Sequence, residues 1–211
     1  GYNIQILDEF GKELPNGNLG AIAIKLPLPP GTLSTIWNAD HRYESSYLKS
    51  FSGYYETGDA GYKDDDDYLY IMARTDDVMN VAGHRLSSGQ MEEVLASHPD
   101  IAECAVIGAA DALKGQLPIG IMCTNVDTEK SNEEIINECI KLVRTKIGPV
   151  AAFKIAIIVD RLPKTRSGKI LRGTIVKIAD GNPYKAPATI DDPKILEEIT
   201  LALKNIGYPK L

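Results

Sequence analysis

Cysteine is scarce in this sequence, and the few residues present form no framework. Cys104, Cys123 and Cys139 lie far apart, with no CxxC pair. They read as small buried hydrophobes in a reducing compartment, which points to the cytoplasm or the mitochondrial matrix. The three histidines, His41, His84 and His98, show no metal-ligand spacing. No apolar run approaches the roughly 20 residues that a membrane helix needs, and no signal-peptide pattern stands at the start. Basic charge is also in deficit. Against 29 acidic residues there are 23 Lys and Arg, a net charge of −6. That balance argues against a nucleic-acid or anionic-membrane binder, so any anion chemistry must come from local clusters. The opening residues Gly1-Tyr2-Asn3 run straight into a strand pattern, which reads as entry into the middle of a larger protein.

What is present is an ordinary globular composition, 44% hydrophobic and 25% charged, in a chain long enough to bury a core without staples. "NIQILD" alternates apolar and polar residues as a half-buried strand does. "AIAIKL" and "YLYIMA" read as further strands, residues 40–51 as a helix, and "EFGKELPNGNLG" as turn chemistry. After Thr75-Asp76-Asp77 the rhythm changes. Ser87 to Gln90 and Ser131 to Glu134 each spell a capping box. The helix after Ser131 carries Ile135, Ile136, Cys139, Ile140, Val143 and Ile147 three and four apart, with Lys141, Arg144 and Lys146 in its last turns. "IAECAVIG", "IGIMC" and "IAIIVD" read as strands, followed by helices over about 168–179 and after Pro193. The expected class is α+β: a small β-rich unit over 1–75, then a compact mixed unit over 76–211.

Four stretches carry chemistry. "YETGD" ends on Asp59 after a glycine-containing turn, where a carboxylate can accept two bonds from a ribose diol or serve as a plain turn aspartate. "KDDDDY" reads as a solvated hairpin turn rather than a cation loop, because it lacks the alternating ligands and the final glutamate of an EF-hand. "ARTDDVMNVAGHRL" places Arg74 and Asp76 beside the boundary and Arg85 after Gly83, which permits close approach to a ligand. The other reading is a linker with internally paired charges. "PKTRSGK" lies in a run holding Arg161, Lys164, Arg166, Lys169 and Arg172. It is not a phosphate-binding P-loop, because Ile170 follows the lysine. No aromatic platform supports nucleic-acid binding. Residue chemistry alone leaves it a mobile, solvated basic loop.

In the order "YETGD", "RTDDVMNVAGHRL", "PKTRSGKI", with "TIWN" and "KGQ" between and before them, the sequence resembles the AMP-forming short-chain acyl-CoA synthetases of the adenylate-forming superfamily. "GYYETGDAGY" is closer to the propionyl type than to the acetyl type. The resemblance spans essentially the whole chain and implies the C-terminal third of such an enzyme: the end of its large N-terminal domain, then a mobile C-terminal domain. It implies ATP, Mg²⁺ and coenzyme A as cofactors, a short-chain carboxylate (propionate or acetate) as substrate, and the rest of the N-terminal domain as partner. The family's Gly/Ser/Thr-rich phosphate loop and acyl pocket lie upstream, so this piece is expected to be inactive alone.

By the same resemblance Lys169 is the catalytic lysine of adenylation, and its acetylation would remove the charge. Asp59, Arg74 and Arg85 contact the nucleotide. Ala82 and Gly83 let the pantetheine of CoA pass, and Arg144 lies near the CoA phosphates. Asp76 is the hinge. His98 is a candidate metal ligand. Gln90 stands where the family has glutamate, with Glu92 matching a second acid, which puts any cation site needing that charge in doubt. The rival reading is a nucleotide- or CoA-sensing module that kept the fold without the reaction.

Overall fold

The computed structural model describes residues 1–210, apart from the side chain of Asp76. Among these residues the chain divides into two compact units, Gly1–Val78 and Met79–Leu211.

The first unit is an antiparallel four-stranded sheet in the order β1-β2-β3-β4. Its strands are β1 (Ile4–Leu7), β2 (Gly20–Lys25), β3 (Tyr54–Lys63) and β4 (Leu69–Arg74), with helix α1 (Asp40–Tyr47) inserted between β2 and β3. Helix α1 buries Tyr43, whose ring lies against Tyr47, and Tyr47 stacks on Tyr55 of β3 at 5.1 Å. "KDDDDY" forms the β3–β4 turn. Asp64 Oδ1 accepts from the amides of Asp66 and Tyr68, and Asp67 takes a positive φ. "YETGD" departs from its reading as a turn. It lies inside β3, with register shifts where β3 meets β2 and β4. Gly58, with φ of 79°, supplies the local kink that looked like a turn in the sequence.

The second unit builds a five-stranded sheet from β5 (Val78–Val81), β6 (His84–Ser87), β7 (Ile101–Asp111), β8 (Gly115–Thr124) and β9 (Ile155–Ile158). The order is β6-β5-β8-β7, with β9 parallel to β8 and β7 antiparallel to it. Side chains alternate across strands, so β7 and β8 feed two cores. Ala105, Ile107, Ile119 and Ile121 face helices α4 (Arg172–Ala179) and α5 (Ile195–Asn205), packing on Ile175, Ile199 and Leu203. Val106 and Met122 face helices α2 (Ser88–Ala96) and α3 (Asn132–Lys146), packing on Met91, Leu95, Ile135, Cys139 and Val143. The result is a mixed sheet between two helical layers, an α+β unit. All three cysteines are free thiols within or beside these cores. Burial pushes each up to about 11, leaving them inert at neutral pH.

Two expected elements differ in the structure. Ser131 and Glu134 form their capping box, side chain to backbone in both directions. Ser87, which ends β6 and stands at the N-cap of α2 with backbone angles as extended as those of Ser131, makes no side-chain cap bond. Helix α4 starts at Arg172 rather than near 168, because residues 164–170 are folded into a hairpin closed by the Lys164–Ile170 bridge.

Candidate functional site

The sequence-predicted residues fall into two groups, one in each unit. In the first, Asp59 on β3 and Arg74 on β4 are direct cross-strand partners, with Arg74 Nη1 3.6 Å from Asp59 Oδ1. The rest of "YETGD" holds this arrangement. Thr57 Oγ1 donates to Ile22 O at 2.7 Å and accepts from the Asp59 amide at 3.2 Å. Thr75 Oγ1 donates to Gly58 O. A Cβ at Gly58 would lie 2.8 Å from Arg74 Nη2, so glycine leaves the guanidinium room to cross the strand to Asp59. The carboxylate is partly exposed and can accept bonds from a diol. Asp76, the expected hinge, lies in a 3₁₀ helix of one turn, Thr75–Asp77. Its side chain lies outside the described residues.

In the second unit, Ala82 and Gly83 join β5 to β6 as a two-residue turn with φ of 51° and 85°. Positive φ at both positions matches the sharpest hairpin turn. Alanine there is unusual and marks a constrained backbone. "KGQ" supports it. Lys114 O accepts from the Ala82 amide at 2.8 Å, and Gly115 pairs with Val81. Gln116 Oε1 accepts from the Asn80 amide at 2.7 Å. Lys114 itself reaches a cleft of about 240 Å³ lined also by Ile140, Arg144, Pro149, Phe153 and Lys154. Arg144 thus shares its cleft with two lysines that motif reasoning missed. Lys154 follows Phe153, which seals against Gly120, and no local sequence signal marks it. Arg85 is half-buried on β6.

Lys169 lies on the hairpin 163–171. Thr165 organises its tip: the Thr165 amide donates to Lys169 O at 2.8 Å, and Thr165 Oγ1 accepts from the Lys169 amide at 3.1 Å. Gly168, with φ of 84°, closes the turn by donating to Thr165 O. This corrects the picture of a solvated basic loop, because three of the five cations in the run are ion-paired. Arg161 is tied to Asp192 and Glu198, Lys164 to Glu103, and Arg172 to Glu92. Lys169 is exposed and makes no ion pair with any described residue.

His98 belongs to a separate cluster. It is buried, its Nε2 lies 2.9 Å from Glu138 Oε2, and its Nδ1 accepts from the Asp100 amide at 3.2 Å. His98, Asp100 and Glu138 can each offer a ligand atom within 4.8 Å of one another. The Lys130 ammonium already bridges both carboxylates, 2.7 Å from Glu138 and 3.2 Å from Asp100, so a metal ion at this point would have to displace it. The Thr128 hydroxyl, then Lys130, holds the Asp100 carboxyl below the usual range. Lys130, then His98, does the same for Glu138. Groups whose pKa is lowered by folding stabilise above their unfolded value and lose that contribution as pH falls. The urea midpoint should therefore drop as pH falls below about 4, and Lys130→Met should both lower it at pH 7 and flatten this acid limb. An unchanged acid limb in Lys130→Met would show that the Lys130 bridge contributes nothing to it.

A model of the AMP-binding enzyme C-terminal domain matches residues 90–169, ending on the lysine at the hairpin. The chain is 48% identical over 204 residues to human "Acyl-CoA synthetase short-chain family member 3, mitochondrial", covering 97% of this chain and 30% of that protein. It is 40% identical over 210 residues to "Propionate–CoA ligase" of Escherichia coli, covering 97% and 33%. The chain thus spans about a third of these relatives. The structure of acetoacetyl-CoA synthetase from Streptomyces lividans superposes with a TM-score of 0.80 over 97% of this chain and 31% of that one. At 20% identity that likeness speaks for the fold. The chain belongs to the adenylate-forming family of short-chain acyl-CoA synthetases and corresponds to their C-terminal part.

Proposed function

We propose that the protein containing this chain is an AMP-forming acyl-CoA synthetase for a short-chain carboxylate, propionate or acetate. It converts the acid and MgATP to an acyl-adenylate and pyrophosphate, then transfers the acyl group to CoA. The observation that carries this reading is Lys169, an exposed ammonium with no ion pair to any described residue, on a hairpin in a basic run where Arg161, Lys164 and Arg172 are already paired with carboxylates. In this reading Asp59 accepts the ribose hydroxyls, Arg74 and Arg85 contact the nucleotide, and Asp76 is the hinge between a domain 1–75 and a domain 76–211. The two half-reactions then need different domain orientations. One relative's name supports the propionyl type and another's a mitochondrial site of action. Among the described residues no helix is long and apolar enough to cross a membrane.

The test is propionate- or acetate-dependent ATP–pyrophosphate exchange by the full-length protein, followed by AMP release when CoA is added. Nucleotide or CoA binding without exchange would instead identify the rival sensing module.

The cleft holding Arg144, Lys114 and Lys154 is assigned to the phosphates of CoA, with the pantetheine passing Ala82 and Gly83. Arginine bonds phosphate through charge-assisted contacts, each contributing on the order of 1.5–3 kcal/mol. Arg144→Ala should therefore raise KM for CoA by about 10- to 100-fold and leave exchange intact. Lys154→Ala should shift KM in the same direction by less, because ammonium lacks the planar fork. If exchange falls in step with CoA use, Arg144 serves the fold and the assignment is wrong.

A further inference from the structure

We propose that Glu92 is a positioning residue for Lys169, acting through Arg172, so that adenylation depends on an ion pair that never touches the reactants. This rests on the assignment of Lys169 to the adenylation step.

Glu92 lies on α2, largely buried, and joins three elements. Its Oε1 accepts from Arg172 Nε at 2.8 Å and from the amide of Val106 on β7 at 2.8 Å. Its Oε2 accepts from Arg172 Nη2 at 2.7 Å. Both side chains are partly shielded, at 15% exposure for Glu92 and 27% for Arg172. Two parallel charge-assisted bonds fix orientation as well as distance.

Arg172 opens α4, three residues beyond Lys169. Helix stability does not explain an arginine there. Positive charge at a helix N-terminus opposes the helix dipole. The capping position, Leu171, makes no side-chain cap bond. Gly173 follows, and a Cβ at that position would meet nothing within 4 Å, so packing does not require glycine and the first turn is intrinsically weak. The Glu92 carboxylate offsets these defects and seats the turn on the α2–β7 layer.

From that seat the chain runs back to the tip in three residues. Leu171 is bonded by its amide to Pro163 O, and Ile170 pairs with Lys164. The hairpin's first arm is fastened to the segment after it, the Arg166 amide donating to Thr189 O and the Asp191 amide to Lys164 O, while Lys164 to Glu103 is a single contact between more exposed groups and contributes little. Those bonds hold the first arm, and the Glu92–Arg172 pair seats the second arm, on which Lys169 stands. An error of about 1 Å in placing such a group can cost about 100-fold in rate.

The experiment measures both half-reactions of the full-length protein: carboxylate-dependent ATP–pyrophosphate exchange, and thioester formation from supplied acyl-adenylate and CoA. Glu92→Gln keeps an acceptor for the Val106 amide and removes the charge. Arg172→Met removes the fork, and Arg172→Lys keeps a point charge. Glu92→Gln and Arg172→Met should each lower kcat for exchange by about 10- to 100-fold. KM for ATP and the thioester step should stay close to the parent values. Arg172→Lys should recover part of the loss, and the double variant should be no worse than the worse single one. Trypsin should cut faster after Arg166 and Lys169 in the variants, with the remaining sites as resistant as in the parent.

Unchanged exchange in Glu92→Gln and Arg172→Met overturns the proposal. So does an equal fall of both half-reactions together with a lower melting temperature, which would make the pair a plain structural tie. Lys169→Ala, assayed alongside, separates the two levels. Normal exchange in that variant defeats the assignment of Lys169 itself and with it the catalytic part of the proposal, while the trypsin comparison still decides whether the pair seats the hairpin.

Discussion

Lys169→Ala in the full-length protein is expected to lower acyl-adenylate formation by about 100- to 1,000-fold, the usual loss on removing one electrostatic partner of a transition state. Negative charge moves as the carboxylate attacks the α-phosphate and pyrophosphate departs. A cation placed there favours the transition state over the bound substrates, which is the condition for acceleration. The structure narrows the basic run to Lys169 and Arg166, which make no ion pair with any described residue. Arg161, Lys164 and Arg172 already spend their charge on Asp192, Glu198, Glu103 and Glu92. Lys169 is presented by a turn that Thr165 and Gly168 close. Thioester formation from supplied acyl-adenylate should survive, because in this reading the lysine has left the site by then. Lys164→Ala is the matched control and should lose at most a few-fold in exchange, since its exposed tie to Glu103 contributes little. Equal damage from both variants would assign the effect to the hairpin rather than to one ammonium.

Local signals were legible in the sequence and long-range ones were not. Ser131 and Glu134 sit three residues apart with solvent around them, so the capping box forms as spelled. Ser87 and Gln90 spell the same motif, yet Ser87, which also belongs to β6, makes no cap bond. The alternation of "IAECAVIG" and "IGIMC" correctly gave two strands. It could not show that odd and even positions would feed two cores with different helices, because that depends on connectivity. The basic run showed five cations and one nearby acid. Three of the five, Arg161, Lys164 and Arg172, have partners 37, 61 and 80 residues away along the chain, at Glu198, Glu103 and Glu92. The same limit hid Lys114 and Lys154, which join Arg144 only once β8, α3 and the segment before β9 are packed. Glycine was misread for a related reason. Gly58 looks like a turn residue, yet it lies inside β3, as does Gly61, where atoms of Arg74 crowd the first and Tyr70 and Ile22 the second.

That absence of room leads to the largest expected loss of stability. Gly61→Ala should destabilise the protein by about 3 kcal/mol, at the upper end of ordinary overpacking. A Cβ at this position would lie 2.1 Å from Tyr70 O and 2.9 Å from Ile22 Cδ1. The first of these is backbone, and it belongs to the strand paired with β3, so no rotamer change relieves the contact. Either β4 moves away and loses its ladder bonds, or β3 shifts its register beside the bulge between Ala60 and Gly61. Both responses displace Asp59, two residues away and paired with Arg74, so nucleotide affinity should fall along with stability. Gly17→Ala is the informative comparison. Gly17 has φ of 80° but nothing within 4 Å of a side chain. Its substitution should cost only the left-handed backbone penalty, about 1–2 kcal/mol, and Gly17→Asn less still, because asparagine tolerates that conformation. Thermal unfolding of the full-length variants ranks the two causes. If Gly61→Ala proves no worse than Gly17→Ala, the close approach of β3 to β4 is not what requires glycine there.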